Sequence, residues 1–350
     1  TGVQTCALPI SGLVSIEDMN ASFSLWNYDT RSDDAYVGGS DFSDGEPFHR
    51  LERSTGVMTT DWPFSSIWNR FYNYLSRVSL SLDILASADQ ENATIKQRTA
   101  EMKFLRAYGH FQLKRLFKKI PFVNKLNMEE EDYNNLSNTE YTNDEGWQQI
   151  INDLEDAYAV LPIVQAEKGR PTKAACAAFL AKVYLYKAYR QDDANSNQVT
   201  GINSDDLQKV VEYTNPALYS GYGLEPDLHN NFRPEEQYEN GKESLWAIQY
   251  SKNDGTVYGN LNFSYRLIVP CIPKVIARYN FFICLFSRYV AINMIIIIDA
   301  VTKYPILGRI VSAKKRKTPD IIYAILFPFG YRIMTIIIAP SPHNADIAVN

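Results

Sequence analysis

The chain has 350 residues, with 35 Lys and Arg against 40 Asp and Glu, a net charge of −5, and only four cysteines. The acidic balance argues against nonspecific binding to nucleic-acid phosphates. The cysteines show no disulfide framework or metal spacing, and His49, His110, His229 and His343 stand too far apart for a HExxH-type pair.

In chain order, Thr1–Ile10 (TGVQTCALPI) reads as the translation of a sequencing-library adapter and is set aside from fold reasoning. Residues 11–61 are expected to be loop-rich, with Asp, Ser and Gly dense from Arg31 to Gly45 and scattered aromatics. A first helix is predicted from about Trp62 to Ala88, where Phe71, Leu75, Val78, Leu82 and Leu85 keep helical spacing. A second starts near Thr94, with Thr94 and Gln97 as a capping box, and ends before Pro121. Its face carries Phe104, Tyr108 and Phe111, widened by Leu105, Leu113 and Leu116.

Asn127–Thr139 is a polar stretch whose EEED run, Glu129–Asp132, reads as solvated loop because EF-hand ligand spacing is missing. The third helix opens on a capping-box pair, Thr142 and Glu145, carries the stripe Trp147, Ile150, Ile151, Leu154, Tyr158 and Leu161, and closes at Pro162. A fourth begins at Pro171–Thr172 and fades near Arg190, with Ala174, Ala177, Ala178 and Ala181 near one face and Cys176 as a small buried hydrophobe. Rings on the second helix and alanines on the fourth suggest direct stacking of the two, as in helical repeats. After a polar linker, Gln191–Ser204, a fifth helix runs from about Asp205 towards Pro216. Predicted starts near 142, 172 and 204 approach the period of about 34 residues of tetratricopeptide units. Ser244–Tyr250 (SLWAIQY) reads as a strand before the turn signal Asn253–Gly255.

The charge pattern changes near Cys271. Residues 1–270 carry a net charge of −12, whereas residues 271–350 carry +7, no Glu, no Trp and 18 Ile, with the basic run Lys314–Lys317. A membrane span is not expected there: the longest charge-free run before position 300, Tyr289–Ile298, falls short of the ~20 apolar residues a span needs. The tail is read as a frame error or chimeric join. The expected organisation is therefore 1–10 as artefact, 11–61 as a loop-rich segment, 62–270 as a helical-repeat domain and 271–350 as an anomalous tail.

Motifs for covalent chemistry are missing: there is no Walker loop, no GxGxxG and no GxSxG elbow. No metal, cofactor or catalytic residue is expected. Aromatics outside the helical stripes supply the candidate ligand site: Trp26, Tyr28, Tyr36, Trp62, Tyr258 and Phe263, with Tyr265 beside them. In polar loops, a ring face covers the C–H face of a pyranose while nearby amides and carboxylates bond its hydroxyls.

Three blocks then resemble the SusD/RagB family of outer-membrane nutrient-uptake proteins. The first is Arg98, Glu101, Phe104, Leu105, Arg106, Ala107 and Tyr108, continuing to Leu113 and Ile120–Pro121. The second runs from Gly169, Arg170, Pro171, Thr172 and Lys173 to Leu180, Ala181, Lys182, Val183, Tyr184 and Leu185. The third is Tyr219, Gly221, Tyr222 and Leu224, leading to Asn231–Phe232 and then Glu243–Gln249. These positions are read as structural, with Arg98 and Glu101 locking helix ends or neighbouring helices.

The resemblance implies a mainly α, tetratricopeptide-like helical-repeat scaffold with a loop-rich ligand-binding face. It further implies a lipoprotein on the outer face of the outer membrane that captures oligosaccharides, or in some cases peptides, for a TonB-dependent transporter and performs no covalent chemistry. The signal and lipidated cysteine of that family are missing from this sequence, as is its C-terminal half after about Pro270. A soluble tetratricopeptide adaptor that binds peptides or proteins is the alternative, and a glycan hydrolase with two carboxylates across a cleft is a further rival.

Overall fold

The computed structural model describes residues 42–249, apart from 44, 89–91, 195–196 and 234, together with residues 31 and 37. Seven α-helices are seen among them: α1 (Glu46–Arg53), α2 (Trp62–Ala86), α3 (Ala93–Phe117), α4 (Glu130–Asn134), α5 (Asn143–Val160), α6 (Lys173–Ala188) and α7 (Ser204–Tyr213). A two-stranded antiparallel ribbon, β1 (Tyr189–Gln191) and β2 (Val199–Ile202), separates α6 from α7, and short 3-10 turns follow. The fold is mainly α. Among the described residues no helix is long and apolar enough to cross a membrane.

Local chemistry sets most helix starts. Thr142 Oγ1 accepts the Glu145 N–H while Glu145 accepts the Thr142 N–H, so the capping box at the head of α5 is complete. Thr172 and Asn203 cap α6 and α7 by accepting the N–H of Ala175 and Asp206. At α3 the cap is not Thr94. Asn92 Oδ1 takes the Ile95 N–H at 3.0 Å, and the Gln97 side chain reaches instead to Glu101 and Gln165.

Each long helix packs on the next in the order α2, α3, α5, α6, α7, as in a helical repeat. Helix α5 packs against both α3 and α6, which themselves meet through their aromatic side chains. Phe179 of α6 lies 5.7 Å from Phe104 and 5.1 Å from Phe111, edge to ring. Gly109 sets the approach of α2 to α3. A Cβ there would fall 2.8 Å from Leu75 and 2.9 Å from the Tyr74 ring, whose hydroxyl donates to the Leu105 carbonyl.

The link from α3 to α5 is pinned at His110, whose Nε2 accepts the Val123 N–H at 3.0 Å. Burial, with Arg106 nearby, holds that imidazole well below its ordinary pKa, so it stays a neutral acceptor.

Three further expectations differ from the structure. The loop-rich segment contains α1, fixed by Arg50 of the helix pairing with Asp61 just before α2. The EEED run forms the short, self-capped α4, and the polar linker folds into the β1–β2 ribbon. Ser244–Gln249 is not a strand: among the described residues it has no neighbouring strand to complete a ladder. Its alternation of apolar residues instead seats Trp246 and Ile248 against the helical core, with Trp246 5.1 Å from Phe104 and 5.3 Å from Tyr108.

Candidate functional site

Of the six aromatic residues proposed to meet a ligand, Trp62 is the one the structure describes. Trp26, Tyr28, Tyr36, Tyr258 and Phe263 lie outside the described residues, as does Tyr265. Trp62 is the first residue of α2 and is 43% exposed. Its ring is held edge-on by Phe48 of α1, with centroids 5.1 Å apart and planes at 85°.

The orientation of α1 against α2 rests on an ion pair. Arg50 donates its Nε to Asp61 Oδ2 at 3.2 Å and its Nη2 to Asp61 Oδ1, and Asp61 Oδ2 also takes the Met58 N–H at 3.0 Å. The Arg50 hydrogen bond holds the Asp61 carboxyl below its ordinary pKa, so the pair stays charged. On the other side of α1, the Phe42 ring stacks on His49 at 5.2 Å, and the Arg53 guanidinium sits 4.9 Å over it.

Short α1 thus fixes two aromatic rings. Phe42 is itself exposed, as are Val57, Met58 and the charged groups Glu46 and Arg53. A rigid, open indole can cover a pyranose face, and exposed carboxylate and guanidinium groups can bond its hydroxyls. Phe48, Arg50 and Asp61 carry no sequence signal of this role. The Glu46–Arg50 spacing of four is the one cue that could have revealed α1.

The ten motif residues go to the scaffold. Glu101 is fully buried and accepts five hydrogen bonds from four side chains: Arg98 Nη1 at 2.9 Å to each oxygen, Arg170 Nη1 at 2.8 Å, Gln165 Nε2 at 3.0 Å and Gln97 Nε2 at 3.2 Å. The carboxylate therefore ties the start of α3 to the turn before α6. That turn also needs Gly169, at φ 84, whose carbonyl accepts the Trp246 indole N–H at 2.7 Å.

Arg106 forms a two-pronged pair with Asp153, at 2.8 and 2.6 Å, and joins α3 to α5. Tyr184 donates to Glu155, Lys173 lies over the Tyr158 ring, Thr172 caps α6, and Phe104, Leu105 and Tyr108 pack in or on the core. Among the described residues no group of His, Cys, Asp and Glu is arranged to hold a metal ion. An open groove of about 450 Å3 lined by Leu85, Ile95, Lys103, Asp156 and Val160 lies apart from Trp62 and contains no proposed ligand residue.

Comparison with known proteins agrees with the helical fold. Residues 16–185 match the SusD-like family described as starch-binding and associating with the outer membrane. SusD-like protein P2 of Formosa agariphila is 28% identical over 186 residues, which cover 53% of this chain and 34% of that protein. A SusD-like protein of Bacteroides ovatus is 26% identical over 201 residues, covering 55% and 34%.

Among solved structures, a laminarin-binding SusD-like protein aligns with a TM-score of 0.60 at 21% identity, over 74% of this chain and 53% of its own. Surface glycan-binding protein A of Bacteroides fluxus aligns at 0.57 with 24% identity, over 74% and 52%. A third, solved with a xylogluco-oligosaccharide, aligns at 0.57 with 21% identity, over 74% and 48%. The chain spans about a third of the length of the curated relatives it matches.

Proposed function

We propose that the chain is a SusD-like protein, in line with the family model that matches residues 16–185, and that it captures oligosaccharides at the outer face of the outer membrane for a TonB-dependent transporter. The observation that carries this reading is the exposed Trp62 indole, held open by Phe48 and the Arg50–Asp61 pair at the edge of a rigid helical scaffold. Affinity comes from ring stacking and from hydrogen bonds to hydroxyls, without turnover of the glycan. The family description, starch-binding and associating with the outer membrane, supports both ligand class and place. A lipid anchor at the mature N-terminus is the expected membrane contact. The remaining ring platforms are assigned to Trp26, Tyr28, Tyr36, Tyr258 and Phe263.

Two measurements test this reading. Trp62→Ala is expected to weaken oligosaccharide binding about 2- to 10-fold, the loss of one stacking contact worth about 0.5–1.5 kcal/mol. Its unfolding midpoint should stay close to that of the parent, since the ring is largely exposed. Affinity isolation of the protein from detergent-extracted outer membranes should co-purify a TonB-dependent transporter. Unchanged binding by the variant removes Trp62 from the site, and isolation without any transporter contradicts the uptake role.

A further inference from the structure

We propose that Lys114 is a proton-controlled pin for the clasp that holds the β1–β2 ribbon's connecting loop against the start of α5. The Lys114 side chain is buried, with the residue 3% exposed, and its Nζ donates to Asn143 Oδ1 at 2.9 Å and to the Lys118 carbonyl at 3.1 Å. It also faces the Trp147 ring, 4.8 Å from the centroid, in space that Gly146 keeps clear: a Cβ there would fall 3.0 Å from Nζ. These contacts are all uncharged, and among the described residues no carboxylate lies within ion-pair distance of Nζ.

The clasp is built around Asn143. Its backbone N–H donates to Asp193 Oδ1 at 2.5 Å, and its side-chain amide reaches the Gln191 carbonyl at 3.5 Å. The charged groups facing this point are Lys118 and Lys119 at the end of α3, Asp192 and Asp193 in the loop, and Asp144 on α5. Lys118 pairs with Asp192 at 3.4 Å, Lys119 with Asp193 at 3.8 Å, and Asp144 with Arg190. From the segment after α3, Phe122 closes the apolar side.

Burial lowers the Lys114 ammonium to about 7; Asp193 opposes this, and Lys118 and Lys119 reinforce it. The sign follows by linkage. An opened, hydrated clasp returns the amine towards its ordinary 10.5, so the open arrangement binds the proton more tightly. Falling pH therefore loosens the clasp progressively from about 10.5 down to about 7, and the neutral amine closes it. Global unfolding shares the sign: this group's contribution is fully present above 10.5 and is lost as pH falls from 10.5 to about 7.

Trp147 emission followed against pH reads the pin directly, because the ammonium sits against its ring. The wild type should show one transition with a midpoint near 7, assigned by its loss in Trp147→Phe. Lys114→Met, neutral at every pH, and Lys114→Arg, charged at every pH, should both abolish it. Hydrogen-exchange protection of the amides at 191–194, corrected for the intrinsic exchange rate, should rise with pH above about 7 in the wild type and stay flat in Lys114→Met. No transition in the wild type, or the same transition in either Lys114 variant, overturns the proposal. If Lys114→Met does not fold, Lys114→Arg alone decides.

Discussion

Glu101→Ala is expected to destabilise the scaffold by about 3–5 kcal/mol, because it strips a fully buried carboxylate from its partners and leaves the buried Arg170 with only the exposed Glu167 as counter-charge. For a unit of this size that is a fall of roughly 10 °C or more in the midpoint of thermal unfolding. Glu101 holds Arg98, Arg170, Gln97 and Gln165 together, so one change opens both the start of α3 and the turn before α6. Glu101→Gln, which keeps shape and some hydrogen bonding, should cost less than Glu101→Ala. Arg98→Ala should cost less still, since that side chain is partly solvated. Chemical denaturation of the three variants gives the order; equal losses for Arg98→Ala and Glu101→Ala would refute the hub.

Phe104→Ala is expected to cost about 3–5 kcal/mol, the range for emptying a well-packed aromatic site. Phe104 is buried where α3, α6 and the 244–249 segment meet, against Phe179 at 5.7 Å and Trp246 at 5.1 Å. Trp246→Ala should cost less, because its indole is only partly buried. The double variant should lose less than the sum of the two, by about 0.5–3 kcal/mol, as residues in direct contact do. Strict additivity would mean that the 244–249 segment does not rest on α3.

The parts of this fold legible in the sequence were those encoded within one helical turn or one apolar stripe. Thr142 with Glu145, and the stripe from Trp147 to Leu161, specify α5 locally, and the close spacing of Arg98 and Glu101 already pairs them. The other half of the Glu101 hub was hidden, because Gln165 and Arg170 lie more than sixty residues away. Helix α1 was missed for the same reason: its eight residues sit in a segment rich in Asp, Ser and Gly and are fixed by Asp61, eleven positions beyond Arg50. Ser244–Gln249 misled in the opposite direction. A strand-like alternation was satisfied by packing Trp246 on helices, with its N–H on the Gly169 carbonyl. Of the candidate ligand surface, Trp62 was legible as an aromatic outside any stripe, whereas the Phe48 ring that orients it was not singled out.

Calorimetric titration of the protein with laminarin- and xyloglucan-derived oligosaccharides tests glycan capture most directly. Saturable binding is expected, weakened by Trp62→Ala and accompanied by no release of shorter sugars over the course of the titration. Absence of heat with either glycan series, or cleavage of the added oligosaccharide, would contradict it.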